Sequence, residues 1–331
     1  MKNILTYLYE HKSLTKDEAK EVLKNIAKGR YNHSQIASFI SVYLMRSITL
    51  QELSGFRDAL LDLCIPVNLS DYNTIDVCGT GGDAKDTFNI STLTAFIVAG
   101  AGASVAKHGN YAVSSTCGSS NIMEYLGYKF SNNEAKLRKE IELTGVCFLH
   151  APLFNPAMKN VAPVRKELGV KTFFNMLGPL VNPASPNKQM IGVYSLELAR
   201  LYSYFFQQSE KDFVIIHSLD GYDEVSLTGD CKMFTRNTEQ IISPSILGLK
   251  KCIPQELTGG KTVTEAGNIF IRVLENKDTA ARHDVVIANA GMGLKAYHPE
   301  KSVSECIDMA RESLESGKAL KVLKKLIKLN E

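Results

Sequence analysis

Residues 76–92 run Asp76-Val77-Cys78 into Gly79-Thr80-Gly81-Gly82-Asp83, and then through Thr87 to Asn89-Ile90-Ser91-Thr92. A short apolar strand that passes through three glycines into a helix start leaves few folds open. Glycine lacks a Cβ, so backbone N–H groups can crowd onto an anion, and the helix N-terminus beyond favours negative charge. Phosphate is the natural occupant. The phosphate loop of nucleotide hydrolases is excluded, because no Gly-Lys-Ser/Thr follows. Gly79-x-Gly81-x-x-Ala84 fits a relaxed dinucleotide fingerprint, but the next strand ends in Lys107-His108 where such a site wants an acid for the ribose. A tight strand-to-helix turn without ligand is the bland alternative, and the accumulation of Asp, Thr, Asn and Ser in one turn argues against it.

Two further clusters point the same way. Lys107-His108-Gly109-Asn110-Tyr111 is followed by Ser114-Ser115-Thr116-Cys117-Gly118-Ser119-Ser120, a cation and a second glycine–serine turn at a helix start. Two such turns in consecutive strand–helix loops imply one extended anion. His108 reads equally as a core histidine or a site residue. Downstream, Asp220-Gly221-Tyr222-Asp223-Glu224 follows a strongly apolar strand and sets two adjacent carboxylates in a loop, a donor pair suited to Mg²⁺ held partly through water.

Around these motifs the chain divides in two. Thr15 with Glu18, Asn32 with Gln35 and Thr49 with Glu52 each pair a capping side chain with an acid or amide at the third helical position, so residues 1–66 read as a helical domain. Helices from about 156–180, interrupted at Pro163, are expected to join it. After the turn formers of residues 66–73, residues 74–331 alternate strands and helices, an α/β domain with a central, mostly parallel sheet. Strands are expected at 75–78, 103–107, 146–150, 189–194, 213–217, 232–236 and 284–288.

Composition narrows the function classes. In 331 residues, 44% are hydrophobic and 22% charged, as in an ordinary folded protein. The longest apolar run, 93–106, is broken by glycines and too short to span a bilayer, and no leader-like segment opens the chain, so a cytoplasmic protein without membrane contact is expected. Seven scattered cysteines without a CxxC pair read as buried free thiols. A net charge of +3 is too small for a protein that only binds nucleic acid. The lysines along the C-terminal helix read as a solvated face.

Taken together, Gly79-Thr80-Gly81-Gly82-Asp83, Asn89-Ile90-Ser91-Thr92, Lys107-His108-Gly109-Asn110, Asp223-Glu224 and residues 174–183 (Phe-Asn-Met-Leu-Gly-Pro-Leu-Val-Asn-Pro) resemble the anthranilate phosphoribosyltransferases over essentially the whole chain. The first two motifs alone also suit pyrimidine nucleoside phosphorylases; the stretch 156–183 favours the anthranilate enzymes. The resemblance implies a small N-terminal helical domain plus a large α/β domain of nucleoside-phosphorylase type, and a homodimer through the helical domain. It implies transfer of phosphoribosyl from phosphoribosyl pyrophosphate to the amine of anthranilate, a step of tryptophan biosynthesis, with Mg²⁺ as cofactor. Phosphoribosyl pyrophosphate would meet Gly79, Gly82, Asp83, Thr87, Asn89, Ser91, Thr92, Lys107 and Ser119; Ser91, Asp223 and Glu224 would serve Mg²⁺; Gly79, Asn110 and Arg165 would meet anthranilate. No residue need be an acid or base, and Lys107, Asp223 and Glu224 would act electrostatically. This chain departs from the usual pattern at Tyr111, where Arg is common, at Asn121, where Asp is common, and at Asn155, where His commonly precedes Pro-Ala-Met.

Overall fold

The computed structural model describes residues 1–112 and 116–331, which form two compact units. Met1–Pro66 and Ala151–Pro183 make the first; Val67–His150 and Ala184–Glu331 make the second.

In the first unit the helices Lys16–Ala27, His33–Met45 and Leu50–Leu63 begin at Thr15, Asn32 and Thr49, and all three reciprocal caps are formed. The helices His33–Met45 and Leu50–Leu63 meet in an aromatic cluster in which Phe39, Tyr43, Phe56 and Phe173 pack edge to face, with Phe56 and Phe173 stacked 4.6 Å apart. Phe173 comes from the returning segment, which ties that segment to the first helices. The run 156–177 differs from the expected interrupted helix. It forms a 3₁₀ turn, Pro156–Asn160, then the helix Ala162–Leu168, then one turn, Phe174–Leu177. Pro163 sits in the first turn of Ala162–Leu168, where a missing N–H costs nothing, so it starts that helix; Gly169, at φ 62°, ends it.

Glu52 is the polar centre of this unit. Fully buried, its carboxylate accepts from the Leu14 N–H at 3.0 Å, the Thr49 N–H at 3.0 Å, and both terminal nitrogens of Arg46 at 2.9 and 2.6 Å. Burial alone would raise its pKa, but the Arg46 fork and the two backbone donors outweigh burial and hold it below the usual glutamate value.

The second unit is a seven-stranded sheet: β1 (Ile75–Gly79), β2 (Val105–Gly109), β3 (Val146–His150), β4 (Lys188–Gly192), β5 (Asp212–Ser218), β6 (Cys231–Phe234) and β7 (Glu239–Ile242). The order is β3-β2-β1-β4-β5-β6-β7; the first five strands are parallel, β6 pairs antiparallel to β5, and β7 pairs antiparallel to β6. The direction in which successive strands are added reverses between β1 and β4, which opens a crevice at their carboxyl ends.

Residues 284–288, expected as a strand, lie inside the 18-residue helix Ala280–Tyr297. Val285, Val286, Ile287 and Ala288 are all buried, so this helix is apolar around its circumference and shows no helical period. Four β-branched or small apolar residues in a row then mimic a core strand. Thr279, whose hydroxyl accepts from the Arg282 N–H, caps the helix start.

Glu52→Ala is expected to destabilise the protein by about 3–5 kcal/mol, because Arg46 would be left as a half-buried unpaired charge. The folded-state pKa of Glu52 is lowered, so its contribution is whole above the ordinary glutamate range and fades as pH falls through the folded value. Denaturant titrations of the parent and variant across pH 3–7 should therefore converge at the acid end.

Candidate active site

The crevice is built by two glycines and one loop. Gly79 ends β1, Gly192 ends β4, and the two are register partners. A Cβ on Gly192 would stand 1.5 Å from the Asp223 carbonyl oxygen, and one on Gly79 would stand 2.4 Å from Asp223 Oδ2. Only side-chain-free backbone lets the loop after β5 lie across both strand ends. The Gly81 N–H then donates to Asp223 Oδ2 at 2.6 Å, and the Thr80 N–H to the Gly192 carbonyl at 2.9 Å.

Beyond these contacts the glycine loop turns through left-handed backbone at Gly81, Gly82, Ala84 and Asp86. Ala84 and Asp86 each carry a Cβ there, at a cost of about 1–2 kcal/mol. Neighbouring backbone secures the loop: Phe88 N–H donates to the Leu257 carbonyl at 2.9 Å, Gly259 N–H to the Asp86 carbonyl at 3.0 Å, and Thr87 bridges Thr258. Arg282 braces that strap, giving a 2.9 Å hydrogen bond to the Thr258 carbonyl while paired with the buried Asp278.

Asp223 and Glu224, placed in a loop by the sequence, are both buried. Burial and the nearby Asp83 charge push Asp223 up, against the opposing Gly81 N–H. Burial and the Asp223 charge push Glu224 well up, opposed by Lys107 and by the Ser91 N–H at the start of the helix Ile90–Gly100. Lys107 is only 2% exposed and donates to the Val77 carbonyl at 2.6 Å. Among the described residues, Asp83 Oδ2 and Thr80 Oγ1 are buried with no hydrogen-bond partner. Crowded, desolvated carboxylates with spare acceptor oxygens are the donor set a hard divalent cation satisfies. Among the described residues no group of three or more His, Cys, Asp or Glu is set to hold a metal by itself. Such a cation would need oxygens from water or substrate as well.

The second turn is fastened to the first. Asn89 Nδ2 donates to the Cys117 carbonyl at 2.9 Å and the Thr116 N–H to Asp86 Oδ1 at 3.2 Å. Ser119 Oγ donates to the Asn110 carbonyl at 3.2 Å. Asn121 Oδ1 accepts from both Ala112 N–H and Gly118 N–H at 3.0 Å, so its amide supplies the acceptor a carboxylate would, without the charge. Tyr111 donates to Glu124 at 2.7 Å and packs edge-on against His150. Ser114 and Ser115 lie outside the described residues.

Gly79, Gly82, Asp83, Thr87, Asn89, Ser91, Thr92, Lys107, Asn110, Ser119, Asp223 and Glu224 therefore all belong to the α/β unit and its strand-end loops. Arg165 and Asn155 belong to the helical unit. Arg165 makes a 3.4 Å contact to Asn175, lies 5.4 Å from the centre of the Phe174 ring, and has its pKa lowered by burial. Sequence reasoning passed over Asp76, which accepts the His108 N–H at 3.1 Å, and Gly192, Arg282 and Asn289. An acid inside an apolar strand was a readable signal for Asp76. Gly192 carries no signal without knowing that β1 and β4 are neighbours.

Residues 71–320 match the glycosyl transferase family a/b domain, and residues 2–64 the helical bundle domain of that family. The chain is 57% identical to the anthranilate phosphoribosyltransferase of Cytophaga hutchinsonii over 99% of this chain and 100% of the relative. It is likewise 57% identical to that of Flavobacterium psychrophilum, with both chains fully covered. Among solved structures, the anthranilate phosphoribosyltransferase of Thermus thermophilus superposes with a TM-score of 0.92 at 32% identity, covering 98% of each chain. That of Saccharomyces cerevisiae in complex with PRPP and Mg superposes with a TM-score of 0.88 at 28% identity, over 96% of this chain and 93% of the other.

Gly192→Ala should force the Asp223 backbone off the end of β4 by an ångström or more. Turnover is expected to fall about a hundredfold. Circular dichroism should remain that of the parent, since the clash is confined to the loop after β5.

Proposed function

The chain belongs to the anthranilate phosphoribosyltransferases, and from that premise we propose which of its residues carry the reaction. The enzyme transfers the phosphoribosyl group of phosphoribosyl pyrophosphate to the amine of anthranilate, giving N-(5-phosphoribosyl)anthranilate and pyrophosphate, in tryptophan biosynthesis. The observation that carries the site assignment is the buried Asp223–Glu224 pair held against the glycine loop, with Lys107 alongside.

In this reading Gly79, Gly82, Asp83, Thr87, Asn89, Ser91, Thr92, Lys107 and Ser119 hold phosphoribosyl pyrophosphate. Their support is the left-handed glycine backbone, the helix start at Ile90 and the hydrogen bonds that fasten the two turns together. Asp223 and Glu224, with Ser91, hold Mg²⁺, which when bound supplies positive charge to the pyrophosphate. The anthranilate nitrogen attacks C1 of the ribose, the C1–O bond breaks with its electron pair leaving on pyrophosphate, and the new ammonium loses its proton to solvent. An aromatic amine with a free lone pair needs no strong base. The protein's contribution is positioning and leaving-group electrostatics, with Lys107 opposing the charge that develops on pyrophosphate. Gly79, Asn110 and Arg165 would contact anthranilate. A guanidinium suits a planar carboxylate, and among the described residues Arg165 has no acidic partner.

The helical unit would carry the homodimer contact. Met45 is 87% exposed and Tyr9 58%, on a groove of about 480 Å³ lined also by Leu8 and Val42, an apolar patch that a second copy would cover. No helix among the described residues is long and apolar enough to cross a membrane, and we place the enzyme in the cytoplasm.

Anthranilate fluorescence should fall only when protein, phosphoribosyl pyrophosphate and Mg²⁺ are all present, with each omitted in turn as control. Asp223→Asn with Glu224→Gln should lower that rate by about a hundredfold or more. Its thermal midpoint should hold or rise, since two repelling buried acids are removed; near-parental turnover would end the metal assignment. Met45→Glu should convert the dimer to monomers in sedimentation equilibrium, and an unchanged mass would place the dimer contact elsewhere.

A further inference from the structure

Asn289 lies in the middle of the helix Ala280–Tyr297 and is completely buried. Its Oδ1 accepts the Val225 N–H at 2.9 Å, and its Nδ2 donates to the Val225 carbonyl at 3.0 Å and to the Val285 carbonyl at 2.8 Å. Both amide hydrogens and the carbonyl oxygen are used. One side chain thereby satisfies both main-chain groups of the residue that follows Glu224, as a neighbouring strand would.

Nothing in the helix itself asks for this residue. Asparagine is a poor helix former, and a buried amide costs free energy unless paired. Its partners outside the helix are the two backbone groups of Val225. The main-chain groups on either side of Val225 are held as well: Ser218 Oγ donates to the Glu224 carbonyl at 2.6 Å and accepts from the Ser226 N–H at 3.2 Å. Helix Ala280–Tyr297 packs on β1, β4 and β5, so it is rigid relative to the strand ends that bear Gly79 and Gly192.

We propose that Asn289 is a positioning residue for Asp223 and Glu224, setting the carboxylates through the Val225 backbone so that their oxygens face one cation. The proposal rests on the reading that these two carboxylates hold Mg²⁺. Without the Asn289 clamp the loop keeps its acids but loses their mutual setting, and metal affinity falls while the metal-loaded enzyme remains competent. Partners that orient metal ligands from behind contribute on the order of tenfold to a hundredfold in metal affinity.

The test is Asn289→Ala in the full-length enzyme, with Asn289→Ser in parallel. Turnover is measured against Mg²⁺ concentration at saturating substrates, KM for anthranilate at saturating Mg²⁺, and binding of Mg²⁺ with inorganic pyrophosphate by calorimetry. The expected result is a shift of roughly tenfold to a hundredfold in the Mg²⁺ dependence and in the calorimetric affinity. Excess Mg²⁺ should restore turnover, and KM for anthranilate should stay at the parental value. An unchanged Mg²⁺ dependence together with a lowered thermal midpoint would mean that Asn289 serves stability alone and would overturn the proposal. The serine variant, which keeps a hydroxyl near Val225, decides by the same readings if the alanine variant does not fold. Asp223→Asn with Glu224→Gln separates the two layers of the argument. If that double variant binds Mg²⁺ with pyrophosphate as the parent does, the metal reading fails; if it loses binding while Asn289→Ala does not, only the positioning role fails.

Discussion

The α/β unit depends on a close approach of main chain to main chain. Asp223 can lie over the ends of β1 and β4 only because positions 79 and 192 have no Cβ, and the steric margin at Gly192 is nil. From this contact follow the Gly81 hydrogen bond, the burial of both carboxylates and their raised proton affinity. Burial and mutual repulsion disfavour the charged form of both acids, and Lys107 opposes that effect at Glu224.

The surrounding shell is made largely of backbone hydrogen bonds arranged by a few side chains. Arg282 and Asn289 are seven residues apart, two turns, and so share one face of the helix Ala280–Tyr297. Arg282 reaches the strap that pairs with Thr87, and Asn289 reaches Val225 beside the acids. A single helix therefore braces both the glycine loop and the carboxylate loop. The strained residues Ala84 and Asp86 are tolerable in such surroundings, because the loop is fixed at both ends by bonds it does not itself supply.

Local chemistry made much of this readable. The three caps at Thr15, Asn32 and Thr49 form as their spacing demands, since a capping box needs only residues three apart. The glycine loop declared itself because its conformation is written in its own composition. Failure came where a residue's environment is decided by distant chain. The all-round burial of residues 284–288 erased the helical period that would have identified them, and Pro163 was read as a break because its place in the first helical turn depends on where Ala162–Leu168 begins.

The sequence by itself determined the three capped helices, the two glycine turns and the identity of the acids, because each rests on residues within a few positions of one another. Tertiary structure alone decided that Gly192 stands beside Gly79, that Asp223 and Glu224 are buried rather than solvated, and that Asn289 holds the loop between them and Ser226. Those facts arise from sheet order and from a contact spanning 64 residues of chain, and no local preference encodes either.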